Sequence, residues 1–265
     1  MSVNIIFGGN AGSEGKGKFA GFLAKKNQYN HVISNFFPNA GHTWVSKNGT
    51  KIITRLLPSS LVNENTQLYI GPGACLDMEV LMDEIRVVEE EGFNVTNRLH
   101  IHPRAAIIDD SHIEMEKKQK LERIGSTLKG GSAGIALKAM RSESQKLAKD
   151  EESLSSYIYN TEMLLKEAMT RGESILIEGA QGFELDINYG YKYPYTTSRQ
   201  TTPSQLLADC GLPVKAVKNI YCVLRPYPIR VADPEKEGET SGALAGKEIK
   251  WSEVEERAGA PGEVH

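Results

Sequence analysis

The sequence predicts an α/β fold with a mostly parallel central sheet and helices on both faces. Two observations carry this expectation. Short apolar runs at 3–7, 31–35, 67–70, 98–102, 174–178 and 217–224 have the length and composition of buried strands. Between several of them lie segments whose apolar residues recur at helical spacing, as at 77–91 and 154–171, and this alternation is the pattern of a parallel sheet covered by helices.

The first run, Val3-Asn4-Ile5-Ile6-Phe7, leads into Gly8-Gly9-Asn10-Ala11-Gly12-Ser13-Glu14-Gly15-Lys16-Gly17-Lys18. Residues 19–24 then show amphipathic helical spacing, so the glycine-rich turn sits where a helix begins and backbone N–H groups are free. Such a turn suits phosphate oxygens. Glycine lets the chain approach a ligand and adopt positive φ, and Lys16 and Lys18 supply charge. No Gly-Lys-Ser/Thr closes the loop, and an ordinary strand-to-helix turn remains the alternative.

The second run passes into Asn39-Ala40-Gly41-His42-Thr43. Segments 43–47 and 50–54 flank Asn48-Gly49, the pair that favours a type I′ hairpin turn. The third run ends at Gly71-Pro72-Gly73, and a helix over 77–91 leads to the strand at 98–102. The middle is more polar. It predicts a charged helix over 114–123, a long donor-rich loop over 124–134, and helices over 137–149 and 154–171. The strand at 174–178 ends in Gly179-Ala180-Gln181-Gly182, and seven of the ten residues at 193–202 carry hydroxyl groups, the composition of a solvated loop. After the strand at 217–224, Ser252-Glu253-Val254-Glu255 reads as a capping box opening a last helix. No repeat or linker divides the chain, so residues 1–265 are expected to form one domain.

Composition narrows the function classes. With 40% hydrophobic and 25% charged residues the chain is ordinary for a globular protein, and a formal charge of −3 provides no global basic field for nucleic acid or anionic membrane. Cys75, Cys210 and Cys222 are few, odd in number and far apart, which suits reduced thiols rather than disulfides or zinc. No apolar run is long enough to span a bilayer. A cytoplasmic location is expected, with no direct binding to nucleic acid or membrane.

Several strings, in order, resemble the adenylosuccinate synthetase family: Gly12-Ser13-Glu14-Gly15-Lys16-Gly17-Lys18, Asn39-Ala40-Gly41-His42-Thr43, Ile124-Gly125-Ser126-Thr127, Glu178-Gly179-Ala180-Gln181-Gly182 with Leu185-Asp186 and Tyr193-Pro194-Tyr195, and the stretch from Arg225 to Val231. The resemblance spans nearly the whole chain and implies the family's P-loop-like fold. It also implies a two-step reaction. The γ-phosphate of a nucleoside triphosphate moves to the purine 6-oxo oxygen, and the amine of L-aspartate then displaces it. Carried over by position, Gly12, Gly15, Lys16, Gly17, Lys18, Gly41 and Thr43 would hold the triphosphate, and Lys16, Ser13, His42 and Gln181 would be the catalytic residues. Gly41 and Ser13 would face Mg²⁺, and His42 would be the general acid at the purine oxygen, a role suited to an imidazole whose pKa lies near working pH. Gln181 would bond the purine edge, while Asn39, Ser126, Thr127 and Thr197 would hold the 5′-phosphate. Arg141 would reach across from a second subunit of a homodimer. His31, His100, His102 and His112 carry no motif and are read as structural.

Ser13 departs from the family pattern, which has aspartate there. Serine is neutral and a weak ligand for a hard cation, so the change implies either a crippled site or a different substrate. A smaller neutral side chain leaves room for an exocyclic amino group beside N1, and its hydroxyl can accept a hydrogen bond from that group. This serine resembles a bacteriophage branch of the family that takes dGMP in place of IMP, uses ATP or dATP, and makes 2-amino-2′-deoxyadenylosuccinate. An ordinary synthetase using IMP and GTP, and a binding protein without turnover, are the alternatives. The family's Thr- and Arg-rich aspartate loop has no counterpart before His265, so either the sequence is a fragment or aspartate is held differently.

Overall fold

The computed structural model describes residues 2–45, 49–229 and 249–258. In chain order the elements are β1 (Val3–Gly8), α1 (Lys16–Asn27), β2 (His31–Ser34), β3 (His42–Val45), β4 (Lys51–Thr54), β5 (Gln67–Ile70), β6 (Cys75–Asp77), α2 (Met78–Glu90), β7 (Leu99–Ile101), β8 (Ala106–Ile108), α3 (Asp110–Lys118), α4 (Gly131–Met140), α5 (Thr161–Thr170), β9 (Ile175–Glu178), α6 (Pro203–Asp209), β10 (Val217–Val223) and α7 (Trp251–Ala258). Six strands form a parallel sheet in the order β10-β1-β9-β2-β5-β7, and β3-β4 and β6-β8 form two small separate ladders.

Side chains alternate across the main sheet as the pleat requires. Val3 and Ile5 of β1, Ile33 of β2, and Ile175 and Ile177 of β9 pack with Leu165 of α5 and Leu206 and Leu207 of α6. Ile6, Val32 and Leu176 face the other way, onto Ala20 and Leu23 of α1. Helices therefore cover both faces, as the apolar runs predict. A third, larger cluster joins α2 to Trp44, Ile52, Leu57 and Leu61 and anchors the β3-β4 hairpin.

The strand order positions the site. From β1 the chain moves outward through β2, β5 and β7, then returns to insert β9 between β1 and β2 and places β10 on the far side of β1. Ile6 stands in register with Glu178 of β9 and Tyr221 of β10, so the loops leaving the C-terminal ends of β1 and β9 lie side by side. In open parallel sheets ligands bind where the strand order reverses in this way.

The middle of the chain departs from the sequence expectations. The helix expected over 137–149 instead runs Gly131–Met140 and stops at Arg141, whose φ is 56°. Residues beyond it cross back over β8, where Ile107 donates to Lys146 O at 2.9 Å and Leu147 bridges Ala106. The early start shortens the expected loop over 124–134, because the buried Glu116 carboxylate accepts N–H bonds from Gly130 and Ser132 and so caps α4. The helix expected over 154–171 is a 3₁₀ turn, Glu152–Tyr157, followed by α5, with Ile158 bridging Ile101 and Asn160 capping α5 between them. The helix expected over 114–123 begins at Asp110 and ends at Lys118. The short β6, β8 and α6 carry too little pattern to be read. Ser252 lies inside α7, which begins at Trp251, so it is not the expected cap. Asn48 of the hairpin turn falls outside the described residues, although β3 and β4 pair as expected. No described helix is long and apolar enough to cross a membrane.

Candidate active site

The loop between β1 and α1 bends through three left-handed residues, Gly12 (φ 89°), Ser13 (φ 58°) and Gly15 (φ 87°). Glycine is the natural choice for such angles, whereas a residue with a Cβ gives up about 1–2 kcal/mol there. The loop is built around Glu14. Its carboxylate, fully shielded from solvent, accepts N–H bonds from Asn10 and Gly12 at 3.1 Å each and meets the Lys16 ammonium at 2.5 Å. A buried charge needs partners of this kind. Close approach explains two further glycines. A Cβ on Gly8 would lie 2.6 Å from Gln181 O, and one on Gly182 would lie 2.0 Å from Asn10 O.

The first turn of α1 then meets the 39–43 segment. A Cβ on Gly17 would stand 2.9 Å from Ser59 Oγ and 3.1 Å from the His42 Cβ and carbonyl carbon, so only glycine lets α1 approach this closely. His42 is buried and stacks on Phe36 with ring centres 4.1 Å apart and planes 8° from parallel. Its Nε2 is buried with no hydrogen-bond partner among the described residues. Burial first, and the neighbouring Lys16 charge second, push its pKa down to about 3. That corrects the expectation of a pKa near working pH: without ligand, His42 is a neutral imidazole.

Beyond β9, Gln181, itself left-handed at φ 60°, donates from Nε2 to Asn39 Oδ1 at 3.3 Å. Glu178, immediately before this turn, is buried and accepts from Ser59 N–H at 3.0 Å, Ser60 N–H at 2.9 Å and the Ser60 hydroxyl. Burial raises its pKa. The bonds tie β9 to the 3₁₀ turn Ser59–Val62, which packs on α1. Asp186, fully buried, accepts from the N–H groups of Asn188, Tyr189 and Thr201 and so shapes the hydroxyl-rich loop. Thr197 in that loop donates to Leu185 O at 2.7 Å, and Leu185 borders Gly12.

Of the residues singled out from sequence, the structure thus gathers Gly12, Ser13, Gly15, Lys16, Gly17, Asn39, His42 and Gln181 into one group at the C-terminal ends of β1 and β9, with Thr197 joined to it through Leu185. Lys18 and Gly41 are exposed beside it, and Thr43 is half-buried in β3. Ser126, Thr127 and Arg141 sit apart, on the α3–α4 region, which meets the chain leading to Asn39 where Gly131 packs against Phe37. Arg141 is exposed at the end of α4. The four histidines read as structural are buried or half-buried, and each has a partner: His31 with Tyr69 and Glu173, His100 with Gln67, His102 with the Arg104 amide, His112 with Asp109 and Gln145. Sequence reasoning assigned no role to Glu14, Arg199 or Arg225. Arg199 bonds Asn35 O and Gly73 O and pairs with Asp209 while lying over Phe37, so it ties the hydroxyl-rich loop to the chain beyond β2 and β5 and to α6. Its place in a polar loop gave no signal. Among the described residues no group of three His, Cys, Asp or Glu side chains is placed to hold a metal ion.

A model of the adenylosuccinate synthetase family matches residues 5–148 and 135–258. The chain belongs to the adenylosuccinate synthetase family. An adenylosuccinate synthetase of Methanococcus maripaludis strain C6 is 37% identical over 236 residues, spanning 88% of this chain and 68% of its own. The N6-succino-2-amino-2′-deoxyadenylate synthase of Vibrio phage phiVC8 is 34% identical over 264 residues, 96% of this chain and 74% of its own. Among solved structures, the cyanophage S-2L succinoaminodeoxyadenylate synthetase bound to dGMP and dATP superposes with a TM-score of 0.80 at 31% identity. That match covers 91% of this chain and 69% of the cyanophage chain. The Plasmodium falciparum adenylosuccinate synthetase gives 0.75 at 25% identity, over 84% and 61% of the two chains. The protein is an adenylosuccinate synthetase-like ligase.

Proposed function

We propose that this ligase joins L-aspartate to dGMP at the expense of ATP or dATP, giving 2-amino-2′-deoxyadenylosuccinate, the nucleoside diphosphate and phosphate. The observation that carries the substrate choice is Ser13. It stands exposed in the left-handed bend of the loop, and a side chain smaller than the family's aspartate and neutral would leave room beside the purine N1 for the 2-amino group of guanine, with the hydroxyl able to accept a bond from it. The likeness to two phage synthases, one of them bound to dGMP and dATP, supports the same reading.

The residues suit a reaction run by positioning and charge neutralisation. Free N–H groups at the start of α1, with Lys16 and Lys18, would hold the transferring phosphoryl group. His42 Nε2–H, on a neutral ring whose Nε2 has no competing protein partner, would donate to the purine 6-oxo oxygen. As negative charge gathers there the His42 pKa would rise from its ligand-free value, and the imidazole would become a better proton carrier. Gln181 and Asn39 would read the purine and its sugar-phosphate side, with Ser126, Thr127 and Thr197 on the 5′-phosphate and Arg141 entering from a second copy of the chain. Phosphoryl transfer to the 6-oxo oxygen breaks the bond to the diphosphate. The aspartate amine then forms the C6–N bond, and phosphate departs with that oxygen.

The donor set fits Mg²⁺ in part: the Gly41 carbonyl and Ser13 hydroxyl are hard oxygen donors, while the nearest loop carboxylate, Glu14, is engaged by Lys16. Bound there, the ion would take most of its ligands from phosphate oxygens and water and neutralise their charge.

The 37% identity to a methanogen adenylosuccinate synthetase favours a second reading, in which IMP and GTP are the substrates. Phosphate release with Mg²⁺, ATP and aspartate, measured with dGMP and with IMP, separates them. Turnover with dGMP is expected. Turnover with IMP alone would overturn the proposal, and silence with both, accompanied by a nucleotide-induced rise in melting temperature, would indicate binding without catalysis.

A further inference from the structure

Ser13 occupies a backbone conformation that its residue type does not favour. Asparagine, aspartate and glycine enter the left-handed region far more readily than serine, so replacing the family's aspartate by serine weakens the local preference for the bend. Such a residue persists only where its surroundings over-determine it. On the Glu14 side the restraint is internal to the loop: the Glu14 carboxylate binds the amides of Asn10 and Gly12. On the other side it comes from the end of β10 and the chain just beyond it. Gly9 N–H bonds Val223 O at 3.0 Å, the Arg225 N–H donates to Asn10 Oδ1 at 2.8 Å, and the Arg225 guanidinium donates to the Ser13 carbonyl at 2.9 Å. Arg225 therefore grips both the start of the bend and its least favoured residue.

We infer that Arg225 is a positioning residue for substrate choice: by fixing the Ser13 peptide it aims the Ser13 hydroxyl, and so sets the preference between 6-oxopurine nucleotides that carry a 2-amino group and those that lack it. This rests on the reading of Ser13 given above. The guanidinium makes the bond to the Ser13 carbonyl, while the same residue's amide is committed to Asn10.

The test is a double-substitution cycle with Ser13→Gly, which keeps the left-handed bend without help and deletes the hydroxyl. The ratio of kcat/KM for dGMP to that for IMP is measured in the parent, Arg225→Ala, Ser13→Gly and the double variant, with melting temperatures alongside. Expected results are a ratio about tenfold lower in Arg225→Ala, a similar fall in Ser13→Gly, and no further fall in the double variant. Arg225→Lys is expected to recover part of the ratio, since an ammonium can still donate to the carbonyl. If Ser13→Gly lowers the ratio and Arg225→Ala does not, or if Arg225→Ala slows both substrates equally, the positioning role is wrong and the reading of Ser13 stands. If the parent shows no preference for dGMP, or Ser13→Gly leaves the ratio unchanged, the reading of Ser13 fails and the role of Arg225 with it.

Discussion

His42 makes a prediction in which the protonation state of the site is read as stability. Its pKa is pushed from an ordinary value near 6.5 down to about 3 in the folded protein, chiefly by burial and then by Lys16. A group whose folded pKa is depressed contributes stability that is fully present above its unfolded pKa and drains away as pH falls toward the folded one. The window for His42 therefore runs from about pH 6.5 down to about pH 3. Moving from about pH 7.5 to about pH 5 removes about 2 kcal/mol of stability through this one ring, since the unfolded chain takes up the proton and the folded chain refuses it. Replacing the ring by His42→Asn should abolish that increment. His102, lowered to about 4 by burial and nearby cations, drains in the same direction but is present in both proteins and cancels in the difference. The assay is urea unfolding of parent and variant at the two pH values. The parent should lose about 2 kcal/mol more than the variant, equivalent to a drop in melting temperature larger by some 4–8 °C. A difference under about 0.5 kcal/mol would mean that His42 titrates near its ordinary value in the folded state, and the account of a shielded, neutral imidazole would be refuted.

Other substitutions probe the same cleft. Ser13→Asp should shift the dGMP to IMP ratio of kcat/KM toward IMP by about tenfold or more, and an unchanged ratio would count against the reading of Ser13. Glu178→Ala strands the amides of Ser59 and Ser60 and the Ser60 hydroxyl in a dry site, so a loss of about 3–5 kcal/mol is expected in urea unfolding, with Glu178→Gln losing roughly half. A loss below about 1 kcal/mol for the alanine would show that the acid is not anchoring the turn. Gly182→Ala places a methyl group 2.0 Å from Asn10 O and 2.4 Å from the Glu14 carboxylate. It should raise KM for the triphosphate far more than a matching change at Gly172, whose Cβ would meet nothing within 4 Å but whose φ of 76° makes alanine mildly strained.

What could be read from sequence follows the range of the forces involved. The buried strands announced themselves because each is a run of apolar residues flanked by turn formers, and the loop at 8–18 because glycine and lysine needs are local. The segment at 137–149 misled because Leu147 and Ala148 sit at helical spacing by accident; their burial comes from crossing β8, a contact some forty residues back in the chain. α6 hid because seven residues carry barely two turns of pattern. In the site, His42 and Gln181 were visible through their motifs, but the depressed pKa of His42 was not, since it depends on Phe36 stacking on the ring and Lys16 approaching it in space. Glu14 could have been found: a lone acid among glycines beside two lysines must bind amides or an ammonium, and it does both. Arg225 could not, because its carbonyl partner is 212 positions earlier and is backbone, which leaves no trace in residue type. The same asymmetry explains why a serine can stand at position 13. Sequence records the side chain that changed, whereas the hydrogen bonds that hold its peptide in an unfavourable bend each pair a side chain with a main-chain atom, Arg225 with the Ser13 carbonyl and Asn10 with the Arg225 amide, and form only when β10 docks on β1.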